Sequence, residues 1–264
     1  MGTDTTEQVK FARDGAIARL SFNRPESLNS FTTEGLNRLA DLMTEVGKDP
    51  DLRVVLLSGE GQAFSSGIDL SAVGLEEDGP TSDTSAVDAA NRLILAIRDA
   101  PKPVVAAVQG AAAGVGSSIA FGCDLVMASA SAYFLLAFAR VGLMPDGGAT
   151  AFVPAAAGRM RAARMAFLAE RIGSAQALEW GLISHVVPDD SFRDEVEKLV
   201  ERLATGPTAS YAQTKRALHA ASIPALSEAL EREREGQAVL TQSADFVEGV
   251  QAFKERRQPH FIGR

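Results

Sequence analysis

The residues best placed to do chemistry lie between Pro103 and Asp124, in the run PVVAAVQGAAAGVGSSIAFGCD. It opens with the apolar stretch Val104–Val108, which has no polar alternation and so predicts a strand covered on both faces. A small-residue turn follows, holding Gly110, Gly114 and Gly116, and Ser117–Phe121 reads as the first turns of a helix. The first N–H groups of a helix have no partner inside it, and the helix dipole adds partial positive charge at that end. Glycines allow backbone angles and close approaches that a β-carbon would block. Such a turn can hold negative charge, either a standing anion or one that develops during a reaction. It can also be a tight strand–helix packing turn. It is not a P-loop, because no Lys-Ser/Thr pair follows the glycines. The dinucleotide fingerprint is incomplete, with Ile119 where the third glycine belongs. A nucleophile elbow needs Gly-x-Ser-x-Gly, and Gly116-Ser117-Ser118-Ile119-Ala120 ends in alanine. The turn by itself leaves the chemistry open.

Other reactive residue types are sparse. A second short segment, Ala63–Leu70 (AFSSGIDL), again sets a glycine, Gly67, just ahead of a helix start. His185, His219 and His260 are scattered without metal-ligand spacing. The single cysteine, Cys123, excludes an internal disulfide and a cysteine metal site and reads as a buried, inert thiol. A serine hydrolase built on Ser117 or Ser118 with His185 or His219 has an imperfect elbow and no Asp–His pair placed by motif.

The elements that must position these segments follow from periodicity. Val9–Phe11 and Ile17–Phe22 flank Asp14-Gly15, which predicts a hairpin. Thr33–Val46 and Val87–Arg98 have helical apolar spacing, and Arg53–Ser58, Leu125–Ala128 and His185–Val187 read as strands. Tyr133–Phe138 is a further apolar run, and Arg140–Gly148 is rich in turn residues. Met160–Leu168 and Ala175–Trp180 read as helices, the second capped by Ser174, and Ser191 with Asp194 predicts a capping box for a helix through Leu203. From Pro207 onward the chain is helical, over 207–220, 224–240 and 244–256. Strands alternate with helices to about residue 187 and helices alone follow, so the fold class is α/β with a helical C-terminal region. The acidic stretch Glu76–Ser85 is the expected mobile loop. A net charge of −8 argues against nucleic-acid binding. No apolar run approaches the ~20 residues of a membrane span, and the polar start MGTDTTEQ reads as carrying no signal peptide, so a cytoplasmic protein is expected.

Four stretches together resemble the enoyl-CoA hydratase/isomerase (crotonase) superfamily: LSFNRPESLNSF at 20–31, AFSSGIDL at 63–70, AVQGAAAGVGSSIAFGCDL at 107–125 and AFKERRQPHF at 252–261. The resemblance runs from about Val9 to the end. It implies a spiral of ββα units over residues 1–200, a C-terminal helical trimerisation region over 201–264, and an acyl-CoA thioester as substrate, with no further cofactor and no metal. It also implies that the backbone N–H groups of Ile68 and Val115, each after a glycine (Gly67 and Gly114), form an oxyanion hole. Deprotonating a thioester at its α-carbon gathers charge on the thioester oxygen, where two such donors act. By the same resemblance, substrate contacts are expected at Ser27, Leu28, Ser66, Ile68, Asp69, Leu70, Gly114, Ser118, Phe138 and Lys254. Asp69 is read as a loop-ordering or helix-capping carboxylate. Arg24, Lys254, Arg256 and Arg257 are candidates to face the CoA phosphates.

The chain departs from the hydratase pattern. Typical hydratases carry glutamates at the positions matching Ser118 and Phe138, and neither residue here transfers protons near neutral pH. A third position used in the superfamily carries Asp146, in GLMPDGG, either as the catalytic carboxylate or as an ordinary cap of the next helix. The favoured expectation is isomerisation of an enoyl-CoA with Asp146 as single acid/base. The alternatives are hydration, an aspartate-nucleophile acyl-CoA hydrolase, a serine hydrolase, or a binder of acyl-CoA without catalysis. The loop at 76–85 is expected to border the acyl pocket. The apolar faces of the helices after Pro207 exceed what one ββα layer covers, so a homotrimer or dimer of trimers is expected. Light scattering at micromolar concentration checks this, and a monomer would contradict it.

Overall fold

The structure, a computed structural model, describes residues 8–72 and 83–264. Most of the loop expected at 76–85 lies outside the described residues. In chain order the strands are β1 (Val9–Asp14), β2 (Ile17–Phe22), β3 (Val54–Gly59), β4 (Val104–Val108), β5 (Ala111–Ala113), β6 (Leu125–Ser129), β7 (Tyr133–Leu135), β8 (Ile172–Gly173) and β9 (His185–Val187). The helices are α1 (Thr33–Lys48), α2 (Ser85–Asp99), α3 (Val115–Gly122), α4 (Ala149–Ala157), α5 (Arg159–Leu168), α6 (Ser174–Glu179), α7 (Phe192–Thr205), α8 (Thr208–Ser222), α9 (Leu226–Leu240) and α10 (Ala244–Glu255).

β1 and β2 form the antiparallel hairpin, turning at Gly15, whose φ of +55° is open to glycine at little cost. From β2 the large sheet continues in parallel, in the order β1-β2-β3-β4-β6-β9. Its strands alternate between two cores. Val55 and Leu57 pack with Leu36, Leu39 and Met43 of α1 and with Leu93, Ile94 and Ile97 of α2. Val54, Leu56, Val105 and Ala107 pack with Val196 and Val200 of α7. With both faces covered, neighbouring residues are all apolar and the run carries no alternation.

The units repeat as strand, short second strand, helix. β4 leads to β5 and α3, and β6 leads to β7 and, through a 3-10 turn at Ala137–Val141, to α4. β5, β7 and β8 make a small second sheet, and a single bridge from Ser65 to Ala112 extends it toward the segment after β3. This is the spiral of ββα units, and its second-strand layer carries the glycine turns.

Three local expectations are corrected. Ser174 is the first residue of α6 rather than its cap, and its hydroxyl donates to the Ala130 carbonyl (2.8 Å). Ser191 sits at the cap of α7, but its hydroxyl donates to the Pro188 carbonyl (3.3 Å), so the capping box with Asp194 does not form. From the sequence, α4 is expected only as a helix start after Asp146, without an extent. Pro154 lies inside it and reads as a breaker, yet in so short a helix its missing N–H removes little.

The C-terminal helices are tied to the sheet by a buried ion pair. Lys215 of α8 donates to the Asp124 carboxylate (2.7 Å) and to the Ile97 carbonyl (2.7 Å), while Asp124 also accepts from the Val104 N–H (2.8 Å). Removing one partner of such a pair strands the other charge out of water. Lys215→Met should therefore cost about 3–5 kcal/mol in denaturant unfolding. Lys198→Met, which breaks only the exposed pair with Glu195 on α7, should change stability by less than ~1 kcal/mol.

Candidate functional site

Two glycine loops meet back to back. A β-carbon on Gly67 (φ +93°) would lie 2.9 Å from the Ala113 carbonyl oxygen and 3.5 Å from Gly114 Cα, and one on Gly116 would lie 2.9 Å from Ser65 Cβ. The Ser65–Ala112 bridge zips the loops together, with Ser65 N–H on the Ala111 carbonyl (3.0 Å) and Ala113 N–H on the Ser65 carbonyl (2.9 Å). On the far side, Phe31 N–H donates to the Gly67 carbonyl and Asp69 N–H to the Phe31 carbonyl. This parallel register turns Ile68's own N–H away from Phe31. Val115 is the first residue of α3, so its N–H has no partner within the helix. Among the described residues, neither the Ile68 nor the Val115 N–H donates a hydrogen bond. Two backbone N–H groups without partners thus lie on loops whose backbones touch, the kind of donors an oxyanion would need.

Asp146 lies in the loop that leads into α4. Its backbone carbonyl accepts from the Ser118 hydroxyl (2.7 Å). Gly147 (φ +62°) presses on the first turn of α3, where an added β-carbon would meet Ser118 Cβ at 3.0 Å and Val115 Cγ2 at 3.3 Å. The Asp146 carboxyl is therefore carried by a loop seated on the residue that supplies one free N–H. Its side chain is 6% exposed. Oδ2 accepts from Gln237 Nε2 (2.8 Å), and Oδ1 is buried without a partner. Burial pushes this carboxyl up to about 7; the Gln237 hydrogen bond opposes the rise and the neighbouring Glu233 charge adds to it. A carboxyl of this kind is ready to take and return a proton near neutral pH.

Asp146 does not cap α4. The cap residue is Gly148 (φ +83°), and the side chain that satisfies the helix start is Glu233 of α9. Glu233 is fully buried and accepts from Gly148 N–H (2.7 Å), Thr150 N–H (2.9 Å) and the Thr150 hydroxyl (2.5 Å). Burial nonetheless holds its carboxyl above the usual range. Sequence reading passed over Glu233 and Gln237. The signal was there: both lie on the buried stripe Leu226, Ala229, Leu230, Glu233, Gln237, where helical periodicity calls for apolar residues.

The other expected site residues fall into groups. Ser27, Leu28, Ser66, Asp69 and Leu70 come together where the 24–31 loop meets the 65–70 loop. Ser66 N–H donates to the Leu28 carbonyl (2.9 Å), and the Ser66 hydroxyl donates to the Ser27 carbonyl (3.0 Å). Leu28 and Asn29 both hold left-handed backbone, φ +54° and +57°. Asn29 is tied there by its buried amide, which donates to the Glu60 and Ala63 carbonyls (2.8 Å each). Leu28 has no such tie and exposes its side chain. Strain in a residue of that kind belongs to binding loops more often than to packing. Asp69 accepts from Arg24 (2.9 Å) and from the Ser71 N–H (3.1 Å) and hydroxyl (2.5 Å). Burial pushes its carboxyl up, but these bonds outweigh it and hold the group below the usual range.

Ser118 and Phe138 are buried. The Ser118 hydroxyl is committed to the Asp146 carbonyl, and Phe138 packs in the main core ahead of the Asp146 loop. The Ser117 hydroxyl donates to the Ala112 carbonyl (2.6 Å) and accepts from Leu135 N–H (3.1 Å), so both candidate serines are bonded to backbone. His219 faces Asp124, and His185 lies beside Ser184, so neither activates Ser117 or Ser118. At the C-terminus Lys254 is exposed on the last turn of α10. Arg257 is paired with Glu248 and Glu255, and Arg24 with Asp69, which leaves less of their charge for a phosphate. The helix α10 packs directly on the turn before the Asp146 loop, where a β-carbon on Gly249 would lie 2.6 Å from Val141 Cα.

Comparison with known proteins agrees with this geometry. The family model described as enoyl-CoA hydratase/isomerase matches residues 12–264. The 1,2-epoxyphenylacetyl-CoA isomerase of Escherichia coli K12 is 40% identical over 250 residues, 94% of this chain and 95% of that protein. A probable enoyl-CoA hydratase of Rhodobacter capsulatus is also 40% identical, over 256 residues, 97% of this chain and 98% of that one. The crystal structure of an enoyl-CoA hydratase from Mycobacterium avium subsp. paratuberculosis K-10 superposes with a TM-score of 0.90 at 46% identity, covering 97% of this chain and 98% of that one. With a family match over nearly the whole chain and a shared spiral fold, the chain belongs to the enoyl-CoA hydratase/isomerase family.

Proposed function

We propose that this protein shifts the double bond of an enoyl-CoA, with the Ile68 and Val115 N–H groups holding the thioester oxygen and Asp146 moving the proton. The observation that carries the reading is the Asp146 carboxyl itself. It is buried, one of its oxygens is unpartnered, and it sits on the loop that rests against Val115. Asp146 takes a proton from C2 of a 3-enoyl-CoA, and the electron pair moves onto the thioester oxygen as an enolate. The charge returns through C2 and C3, and the same carboxyl delivers the proton to C4. One acid/base group is sufficient, since no water enters the balance.

Hydration asks for more. It needs a group to activate water and a group to protonate the α-carbon. Ser118 and Phe138 stand where those glutamates would be, and the Ser118 hydroxyl is already used on a backbone carbonyl. Of the two relatives at 40% identity, one is named as an isomerase of an epoxyphenylacetyl-CoA and the other as a probable enoyl-CoA hydratase, so the names do not decide and the weight falls on Asp146. The strained, exposed Leu28 and the adjoining Ser27, Ser66, Asp69 and Leu70 support a substrate edge along the 24–31 and 65–70 loops. Lys254, with Arg24, Arg256 and Arg257, is a candidate cation for the CoA phosphates.

Assays with a 3-enoyl-CoA and with crotonyl-CoA test the reading. The wild type should isomerise the first and hydrate the second at least ~10²-fold more slowly, the low-end worth of one acid/base group. Asp146→Asn should remove isomerisation while CoA-ester binding survives. Hydration faster than isomerisation of any 3-enoyl-CoA, or full activity in Asp146→Asn, would overturn it.

The pH dependence has a definite sign. A base works when ionised, so the rate should climb as pH rises through about 7. The fold raises this carboxyl above its ordinary value of ~4. It therefore contributes most to stability below that value, and the contribution is lost as pH rises through about 7. Asp146→Asn should raise the unfolding temperature more at pH 8 than at pH 5. The oxyanion donors have their own check. Proline is tolerated at the first position of a helix, so Val115→Pro should keep the fold, remove one N–H and lower kcat by about 10²–10³-fold. Equal loss of CoA-ester affinity would point to a folding defect instead.

A further inference from the structure

Helix α9 grips the Asp146 loop at three points. Gln237 Nε2 donates to the Met144 carbonyl (2.8 Å) and to Asp146 Oδ2 (2.8 Å). One turn earlier, Glu233 accepts from Gly148 N–H and Thr150 N–H. Residues 233 and 237 are four apart, so they project from one face of the helix, and that face is buried. The loop is thus held before, at and after the carboxyl.

The grip is also selective between the two carboxyl oxygens. An amide nitrogen has two hydrogens, and both of Gln237's are used, one on each acceptor. Turning the amide over would set its oxygen against a carbonyl and a carboxylate, so the orientation is fixed. Oδ2 is thereby occupied. Oδ1 stays buried and unpartnered, as does Gln237 Oε1 on the far side of the amide. A buried polar atom with no partner is unfavourable unless something uses it. Among the described residues, no other cation or donor bonds the carboxyl. The helices α3 and α4, packed against the loop, contain no ionisable residue. Arg140 of the preceding turn donates to the Ala169 carbonyl, and Arg234 of α9 pairs with Asp88 of α2. Glu233 is the charged neighbour, and it is engaged with α4.

Resting on the reading of Asp146 as the base, we propose that Gln237 is a positioning residue that clamps Oδ2 and leaves Oδ1 as the oxygen that takes the substrate proton. Proton transfer needs a base within hydrogen-bond reach and correctly aimed, and a carboxyl free to rotate would offer neither. Gln237 touches Asp146 and not the reacting atoms, so it acts through Asp146.

Gln237→Met keeps the length and removes the donor, and Gln237→Glu keeps the shape and adds a like charge. Two readouts separate this proposal from the isomerase reading. The first is titration of the Asp146 carboxyl in the ligand-free protein, by 13C NMR or isotope-edited infrared spectroscopy with Asp146→Asn as the assignment control. It needs no activity. Loss of the donor should raise the titration midpoint by about one pH unit in Gln237→Met, and further in Gln237→Glu. The second is the pH profile of 3-enoyl-CoA isomerisation. Its acidic limb should move to higher pH by the same amount, with kcat down roughly 10–10²-fold and KM changed far less. Thermal melts identify any variant that fails to fold, and Gln237→Asn, which keeps the amide but shortens its reach, then takes its place. An unmoved midpoint and limb in a folded variant would overturn the proposal, even if kcat falls. A wild type without isomerase activity would sink the isomerase reading, while the titration would still decide whether Gln237 clamps Asp146.

Discussion

The site depends on one contact: the backbones of two loops lie against each other at Gly67 and Gly114, with no side chain between them. A residue with a β-carbon would be strained at either position. Both hold positive φ, and a β-carbon at Gly67 would strike the Ala113 carbonyl. The closeness brings together the two loops that carry the unpartnered Ile68 and Val115 N–H groups. It arises from the spiral, since β5 and the Ser65 segment are successive layers of the small sheet, joined through the Ser65–Ala112 bridge. The large sheet, buried on both faces, is the rigid frame against which these short strands are stacked.

Around this contact the chain tolerates costs that a purely structural protein would avoid. Two carboxyls, Asp146 and Glu233, are buried on neighbouring elements. Glu233 is compensated by donors from the start of α4, so its burial serves as a helix cap delivered from another helix. Asp146 is compensated at one oxygen only. The difference separates an anchoring group from the group proposed as the base. Desolvation without full hydrogen bonding keeps a carboxyl near the midpoint of its titration, where proton transfer is easiest in both directions.

The C-terminal helices have two tasks. α8 packs against the sheet, and α9 reaches back to hold the Asp146 loop. α8 is itself anchored where its Lys215 meets Asp124, which lies just before β6 and also accepts from the Val104 N–H at the start of β4. α10 closes on the turn before the same loop through Gly249, and its own start is held by the tail, where Ile262 and Gly263 N–H donate to the Asp245 carboxylate. The loop that carries Asp146 is thus packed between a helix on either side, and its position follows the C-terminal region as much as the spiral core.

The short strands β5 and β8 and the extent of α4 were not legible in the chain, whereas the main strands and most helices, the doubly covered sheet, the glycine turns and Asp146 were. Each rests on a local property: apolar periodicity, a glycine where the backbone needs one, or a carboxylate where the family pattern has none elsewhere. The caps were not legible. Ser174, Ser191 and Asp146 have the residue types of caps, yet their side-chain bonds go to Ala130, Pro188 and Gln237. A hydroxyl or carboxyl bonds the nearest well-aimed partner, and long-range packing decides which that is. Glu233 and Gln237 were hidden for the same reason. In sequence they are two polar residues in an amphipathic helix about ninety positions from Asp146. Sequence alone determined which backbone could bend into two anion-holding turns and which carboxylate was present to act. Only the tertiary structure decided that the turns touch, that Asp146 loses its water, and that one of its oxygens stays free, because burial and hydrogen-bond partnership belong to the packed chain and not to any residue within it.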